Sequence, residues 1–196
     1  MNTPLIRRLG ALLTVAIVAV ACAQPFEEQA KRPNVDVSLE LWAMSGSPPS
    51  YPAALLVPQY TPVRADPAGS FDLAFDIDAN GRLVVLPVAR VVAPLTGNRT
   101  IGLQRAAEFY TLVVEAPRTG WVYDSVLVVN PGTTFLVKVQ TPFCQFDIRQ
   151  DIHAKFYVDS VLPAERRVKL SARVNPNCGL RSYPARRRTE PCTISG

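Results

Sequence analysis

The sequence predicts an all-β fold, a single β-sandwich or partly closed barrel of about 8–10 mostly antiparallel strands. Three observations carry that expectation. Apolar and polar residues alternate with a period of two in several stretches. The remaining apolar runs are short and rich in β-branched residues. Turn-forming residues separate one run from the next.

Taken in order, Val35, Val37, Leu39 and Leu41 alternate with Asp36, Ser38 and Glu40, the pattern of a strand with one wet face. Phe71, Leu73, Phe75 and Ile77 alternate with Asp72, Ala74, Asp76 and Asp78, and Asn80-Gly81 follows as a hairpin turn. More continuous runs at Leu83–Val92, Leu112–Ala116, Val126–Val129 and Phe135–Val139 suit inner strands. Val168, Leu170, Ala172 and Val174 alternate with Arg167, Lys169, Ser171 and Arg173. Gln104–Glu108 is the one stretch that suits a helical turn. The organisation expected is a signal peptide over 1–21, a tether over 22–33, the β-domain over 34–182 and a basic tail over 183–196.

The leader has the parts of an export signal. Arg7 and Arg8 form a positive start, and Leu9–Ala21 carries no charge. That run is roughly 13 residues, whereas a helix needs about 20 to cross a bilayer. Ala19-Val20-Ala21-Cys22 resembles the lipobox of bacterial lipoproteins, which implies a diacylglyceryl anchor on Cys22. An A-x-A cleavage is the alternative, after Ala21 or after Ala23. Either route gives an exported chain, membrane-anchored in the cell envelope in the first case and secreted or periplasmic in the second.

Composition narrows the classes. Removing Arg7 and Arg8 from the 21 basic residues leaves 19 against 16 acidic ones, a charge of about +3. That mild balance does not call for nucleic acid. Beyond Cys22 stand Cys144, Cys178 and Cys192, with no C-x-x-C unit to suggest zinc or redox chemistry. Thr133–Thr141, Ile152–Leu162 and Arg166–Asn175 read as a meander whose first and third strands finish at one end. That places Cys144 beside Cys178 as the favoured disulfide, with Cys178–Cys192 as the alternative.

Candidate chemistry is sparse. Asp76, Asp78 and Asn80 in D-x-D-x-N-G match the opening of a calcium loop, but Pro87 stands where the closing glutamate belongs. A plain hairpin is the preferred reading. Asp72, Asp76 and Asp78 are expected on one strand face, the only paired carboxylates to weigh for glycoside hydrolysis. His153 is the sole histidine, which excludes His₂ or His₃ metal sites within one chain. It is expected on a polar strand face. A triad through Ser125 or Ser160 lacks a G-x-S-x-G elbow. Trp42, Trp121, Tyr51, Tyr60 and Tyr123 are candidates for a ligand groove, and Trp121 shares a face with Tyr123. Arg181 with Arg186, Arg187 and Arg188 could meet anionic headgroups or phosphorylated glycans. Asn98-Arg99-Thr100 fits N-x-T by coincidence in a bacterial setting.

Phe71-Asp72-Leu73-Ala74-Phe75 and Ala154-Lys155-Phe156 are similar to segments of HmuY-type haem-binding lipoproteins. The resemblance implies an all-β fold. It does not extend to the paired histidines through which that family holds haem, since His153 stands alone.

The function these residues predict is a non-catalytic cell-envelope lipoprotein acting as a binding or structural module. The alternatives are a small-ligand carrier, or a hydrolase of glycan or peptide. No cofactor and no nucleic-acid partner is expected. The expected partners are the membrane, through the N-terminal lipid, and a protein or glycan of the envelope.

Overall fold

Alternation along Val35–Trp42 (β1) and Arg167–Asn175 (β11) dictates how the two strands meet. They pair antiparallel from Val35 opposite Val174 to Trp42 opposite Arg167. Leu39 and Leu41 then join Leu170 and Val168 in the core. On the other face Asp36 accepts from Arg173 at 2.5 and 2.7 Å, and Glu40 pairs with Arg167. One alternating pattern thus yields both the buried layer and a ladder of cross-strand ion pairs.

The computed structural model describes residues 30–92, 100–147 and 149–183. Its other strands are Ala54–Leu56 (β2), Thr61–Val63 (β3), Leu73–Ile77 (β4), Leu83–Pro87 (β5), Ile101–Arg105 (β6), Val122–Tyr123 (β7), Leu127–Val129 (β8), Thr134–Gln140 (β9) and Asp151–Leu162 (β10). They form two antiparallel sheets, one ordered β1-β11-β10-β9-β6-β7 and the other β3-β2-β4-β5-β8. The eleven described strands slightly exceed the expected number because β2, β3, β7 and β8 are pieces of two or three residues. Among the described residues no helix is long and apolar enough to cross a membrane.

The sheets share one core. Phe71, next to β4, and Phe75 of β4 come from the smaller sheet, and Phe135 of β9 and Phe156 of β10 from the larger. The latter two stack at 5.1 Å. All four are fully buried, and truncating any of them to alanine costs about 3–5 kcal/mol.

The expected meander is present as β9-β10-β11, and its geometry delivers the disulfide. Cys144 follows β9 and Cys178 follows β11, and the two are bonded with Cα atoms 5.7 Å apart. Cys22 and Cys192 lie outside the described residues, as do Asn98, Arg186, Arg187 and Arg188.

Four expectations are corrected. Gln104 and Arg105 complete strand β6 and form no helical turn; the single-turn 3-10 helices lie at Val57–Gln59, Val88–Arg90, Pro142–Cys144 and Pro163–Glu165. Leu112–Ala116 is not an inner strand. Most of residues 106–121 run irregularly across the outer face of the larger sheet, burying Val113 and Ala116 against Leu136 and Tyr183 and leaving Leu112 and Val114 exposed. Tyr183 belongs to that packing and not to a surface tail. Asp72 and Ala74 are buried, so β4 has no fully wet face; the Asp72 carboxylate accepts from the Val57 amide at 2.8 Å.

Candidate functional site

Strand β10 sends Ile152, Ala154, Phe156 and Val158 into the core, which leaves His153 and Lys155 on the opposite face. Polar residues there would ordinarily meet water. Here the 106–121 segment roofs them, and each is only 3% exposed. The roof is joined to the chain after β11 by the Glu115–Ser182 bridge, by Ala116 N–H to the Arg181 carbonyl at 2.7 Å, and by Tyr183 N–H to the Val114 carbonyl at 2.6 Å.

Lys155 meets the roof from below. Its ammonium donates to the carbonyls of Tyr110 (2.7 Å) and Val113 (2.8 Å) and lies 4.3 Å from the Tyr110 ring centroid. Burial pulls its pKa down to about 8, with Arg173 adding to the effect and Asp36 opposing it. The same burial pushes the Tyr183 phenol far up and that of Tyr110 to about 12.

His153 sits nearer the edge of the roof, its ring 6.0 Å from that of Trp121. Burial lowers its pKa to about 4, against the opposing pull of Asp151, so the imidazole is neutral at pH 7. Its Nδ1 has no hydrogen-bond partner among the described residues. Trp121 is placed by its indole N–H, which donates to the Pro117 carbonyl at 3.1 Å. It also depends on Gly102, where a Cβ would come within 3.1 Å of Tyr123 and 3.3 Å of Trp121. The two aromatics therefore share a face, as the sequence suggests.

Beside this pair lies a cleft of about 350 Å³. Arg118 reaches it from the roof, Lys138 from β9, Arg149 from the loop before β10 and Arg181 from the segment after β11. Asp151 is the only carboxylate in the lining, and Lys138 holds it at 3.1 Å. That contact raises the Lys138 pKa although burial opposes it. Arg181 is engaged by Glu115 and by the Ala116 carbonyl. Arg118 and Arg149 are exposed and form no ion pair among the described residues. Arg149 passes directly over Gly179, where a Cβ would lie 2.6 Å from the arginine Cβ and where φ is +76°. Only glycine serves at that position.

The other candidates do not converge on the cleft. Asp76 accepts from Arg166 at 2.8 Å and from the Ser45 hydroxyl at 2.5 Å. Asp78 pairs with Arg82 at 2.7 Å and caps the amides of Asn80 and Arg82. The hairpin turn has positive φ at Gly81 alone, with Asp78 N–H bonded to the Arg82 carbonyl. This is a three-residue loop with a glycine bulge, not the two-residue turn that Asn80-Gly81 suggests. The Ser125 hydroxyl donates to the Tyr123 carbonyl and has no bond to His153. Trp42 and Tyr51 pair with each other at 5.0 Å, away from Trp121, so the aromatics make no common groove. Cys144, Asp147 and Cys178 lie within metal-ligand reach of one another, but both sulfurs are consumed by the disulfide.

Comparisons of the chain with family models, with curated proteins and with solved structures each return no match. The case for function rests on the geometry of the cleft.

Proposed function

We propose that the chain is an exported, non-catalytic binding module of the bacterial cell envelope, held to the membrane by lipid on Cys22. Its ligand or partner meets the outer face of the larger sheet beside Trp121. The observation that carries this reading is the charge of the cleft, where four cations face one carboxylate already paired with Lys138. A hydrolase working through paired acids requires two carboxyl groups about 5–10 Å apart across the substrate. A triad requires a serine within reach of the histidine. Neither arrangement surrounds Trp121 among the described residues. Cations, an aromatic ring and a neutral imidazole make a surface that holds a ligand without transforming it.

Two measurements test the reading. Incubation with a panel of glycans and peptides should release no product, and sustained turnover would refute the non-catalytic assignment. Intact mass of the chain from the membrane fraction of its host should show a diacylglyceryl adduct on a mature N-terminus at Cys22. A mature chain that begins at Gln24, or at an unmodified Cys22, would refute the anchor.

A further inference from the structure

The cleft beside Trp121 holds two binding capacities that the described residues leave unspent. The first is charge. Lys138 and Arg181 have partners, whereas Arg118 and Arg149 come from different segments and form no ion pair among the described residues. Guanidinium groups so placed take a carboxylate or phosphate through paired N–H donors. The second is Trp121. Its N–H is spent on Pro117, so what remains open of the half-buried ring offers CH and π contact.

An oxyanion joined to a face of C–H groups that can lie on an aromatic ring is the character of an acidic or phosphorylated sugar. We propose that this cleft binds a hydroxylated anion, a single sugar unit that carries a carboxylate or a phosphate. Arg118 and Arg149 hold the oxyanion, and the sugar lies against Trp121. The cleft, at about 350 Å³, falls at the small end of the range for small-molecule sites, about 300–1,000 Å³, which favours one unit over a long chain. The inference rests on the binding-module reading of the same cleft and adds the chemical class of the ligand.

The test uses the full chain carrying Trp42→Phe, so that Trp121 is the only tryptophan, titrated at pH 7.5 and low salt with its fluorescence as the signal. The probes are glucuronate, glucose 6-phosphate, neutral glucose and inorganic phosphate. Glucuronate, glucose 6-phosphate or both should saturate with a Kd of about 1 mM or tighter, and the one that binds identifies the oxyanion. Glucose and inorganic phosphate should bind at least about tenfold more weakly, and added salt should weaken the anionic sugar. Arg118→Ala and Arg149→Ala should each weaken binding about tenfold or more, the effect of losing a hydrogen bond to a charged group. Arg64→Ala, just after β3 of the smaller sheet, should leave binding unchanged. Both cleft arginines are exposed, so these variants should melt as the parent does.

Silence of both anionic sugars at about 10 mM with a native melting curve would overturn the proposal. So would glucose binding as tightly as glucuronate, or inorganic phosphate binding as tightly as glucose 6-phosphate. Binding of a neutral glycan or an envelope protein with both anionic sugars silent would sink this inference and leave the module reading standing. Turnover of any probe would sink the module reading itself.

Discussion

The acids of the β4–β5 hairpin and the cations around Trp121 are both dense charge clusters, yet only one of them has charge left over. Asp78 meets Arg82 within the same hairpin, and Asp76 meets Arg166. The hairpin's acids are therefore cancelled, Asp78 by a residue four positions away and Asp76 by Arg166 from the far end of the chain. The cleft draws on the roof, β9, the loop before β10 and the segment after β11, and two of its four cations, Arg118 and Arg149, form no ion pair among the described residues. Charge that meets an opposite partner, near or far in sequence, serves the fold. The charge of Arg118 and Arg149 stays available to a ligand, at the cost of needing their segments held in place.

If that contrast is right, the disulfide should matter far more to the cleft than to the hairpin. Cys144 and Cys178 tie the loop that carries Arg149 to the one that carries Gly179 and Arg181. Replacing both cysteines with serine should cost about 3–4 kcal/mol in denaturant unfolding, from the chain entropy of a loop of 34 residues. Hydrogen exchange should quicken at Gly179, whose amide is bonded to the Asp151 carbonyl at 2.7 Å, and stay slow at Arg82 in the hairpin. Equal loosening of both regions would break the comparison.

Acid should separate the two regions next. The His153 pKa falls from 6.5 to about 4 in the folded chain, through burial, with Asp151 opposing and Lys138 and Arg181 contributing. Between those pH values the unfolded chain binds the extra proton, so stability rises with pH across the window and is lost as pH falls from about 6.5 to 4. The loss attributable to this residue is on the order of 3 kcal/mol. His153→Gln should flatten that limb of the stability–pH curve. An unchanged slope would mean that the roof admits water to the imidazole.

Lys155 makes a finer distinction, because two terms of similar size oppose each other. Lys155→Met removes a desolvated ammonium but strips the Tyr110 and Val113 carbonyls of their donor, each effect on the order of 2–3 kcal/mol. Global stability should then move by about 1 kcal/mol or less. The roof should nevertheless loosen, with faster exchange at the Val113 and Ala116 amides. The parent chain carries a pH signature as well. With the Lys155 pKa near 8 against an ordinary 10.5, stability from this residue rises with pH above about 8. Tyr110, raised from 10 to about 12, reverses the trend above about 10. Lys155→Met should abolish the rise and keep the reversal.

How legible these regions are in the sequence follows from the same contrast. Period-two alternation reveals β1, β4, β11 and their inner faces, and the meander predicts the Cys144–Cys178 bond because strand direction is fixed by antiparallel pairing. The roof has no periodicity to read. Leu112–Ala116 is as apolar as an inner strand, and only the tertiary structure shows that Val113 and Ala116 cover Leu136 while Leu112 and Val114 stay out. His153 is correctly assigned to the polar face of a strand, but nothing local announces that this face is covered. Arg118 and Arg149 carry no motif, and they acquire meaning only beside Trp121. Lys138 could have been found, since it stands opposite His153 across the β9–β10 pair.

The smallest expected effect is at the hairpin, and it sharpens the contrast by being nearly nothing. The Asp78 carboxylate already has an arginine and two backbone amides, contacts that lower its pKa, led by the Arg82 amide. Asp76 is likewise bound to Arg166 and Ser45. Calcium needs six to eight oxygens, and entering here it would have to displace two guanidinium groups before gaining its first ligands. Millimolar calcium should therefore leave the melting temperature unchanged. Asp78→Ala should lower it slightly by uncapping the turn, with or without the ion. A calcium-dependent rise that Asp76→Ala and Asp78→Ala both abolish would show that the arginines yield, and that the hairpin's charge is not spent after all.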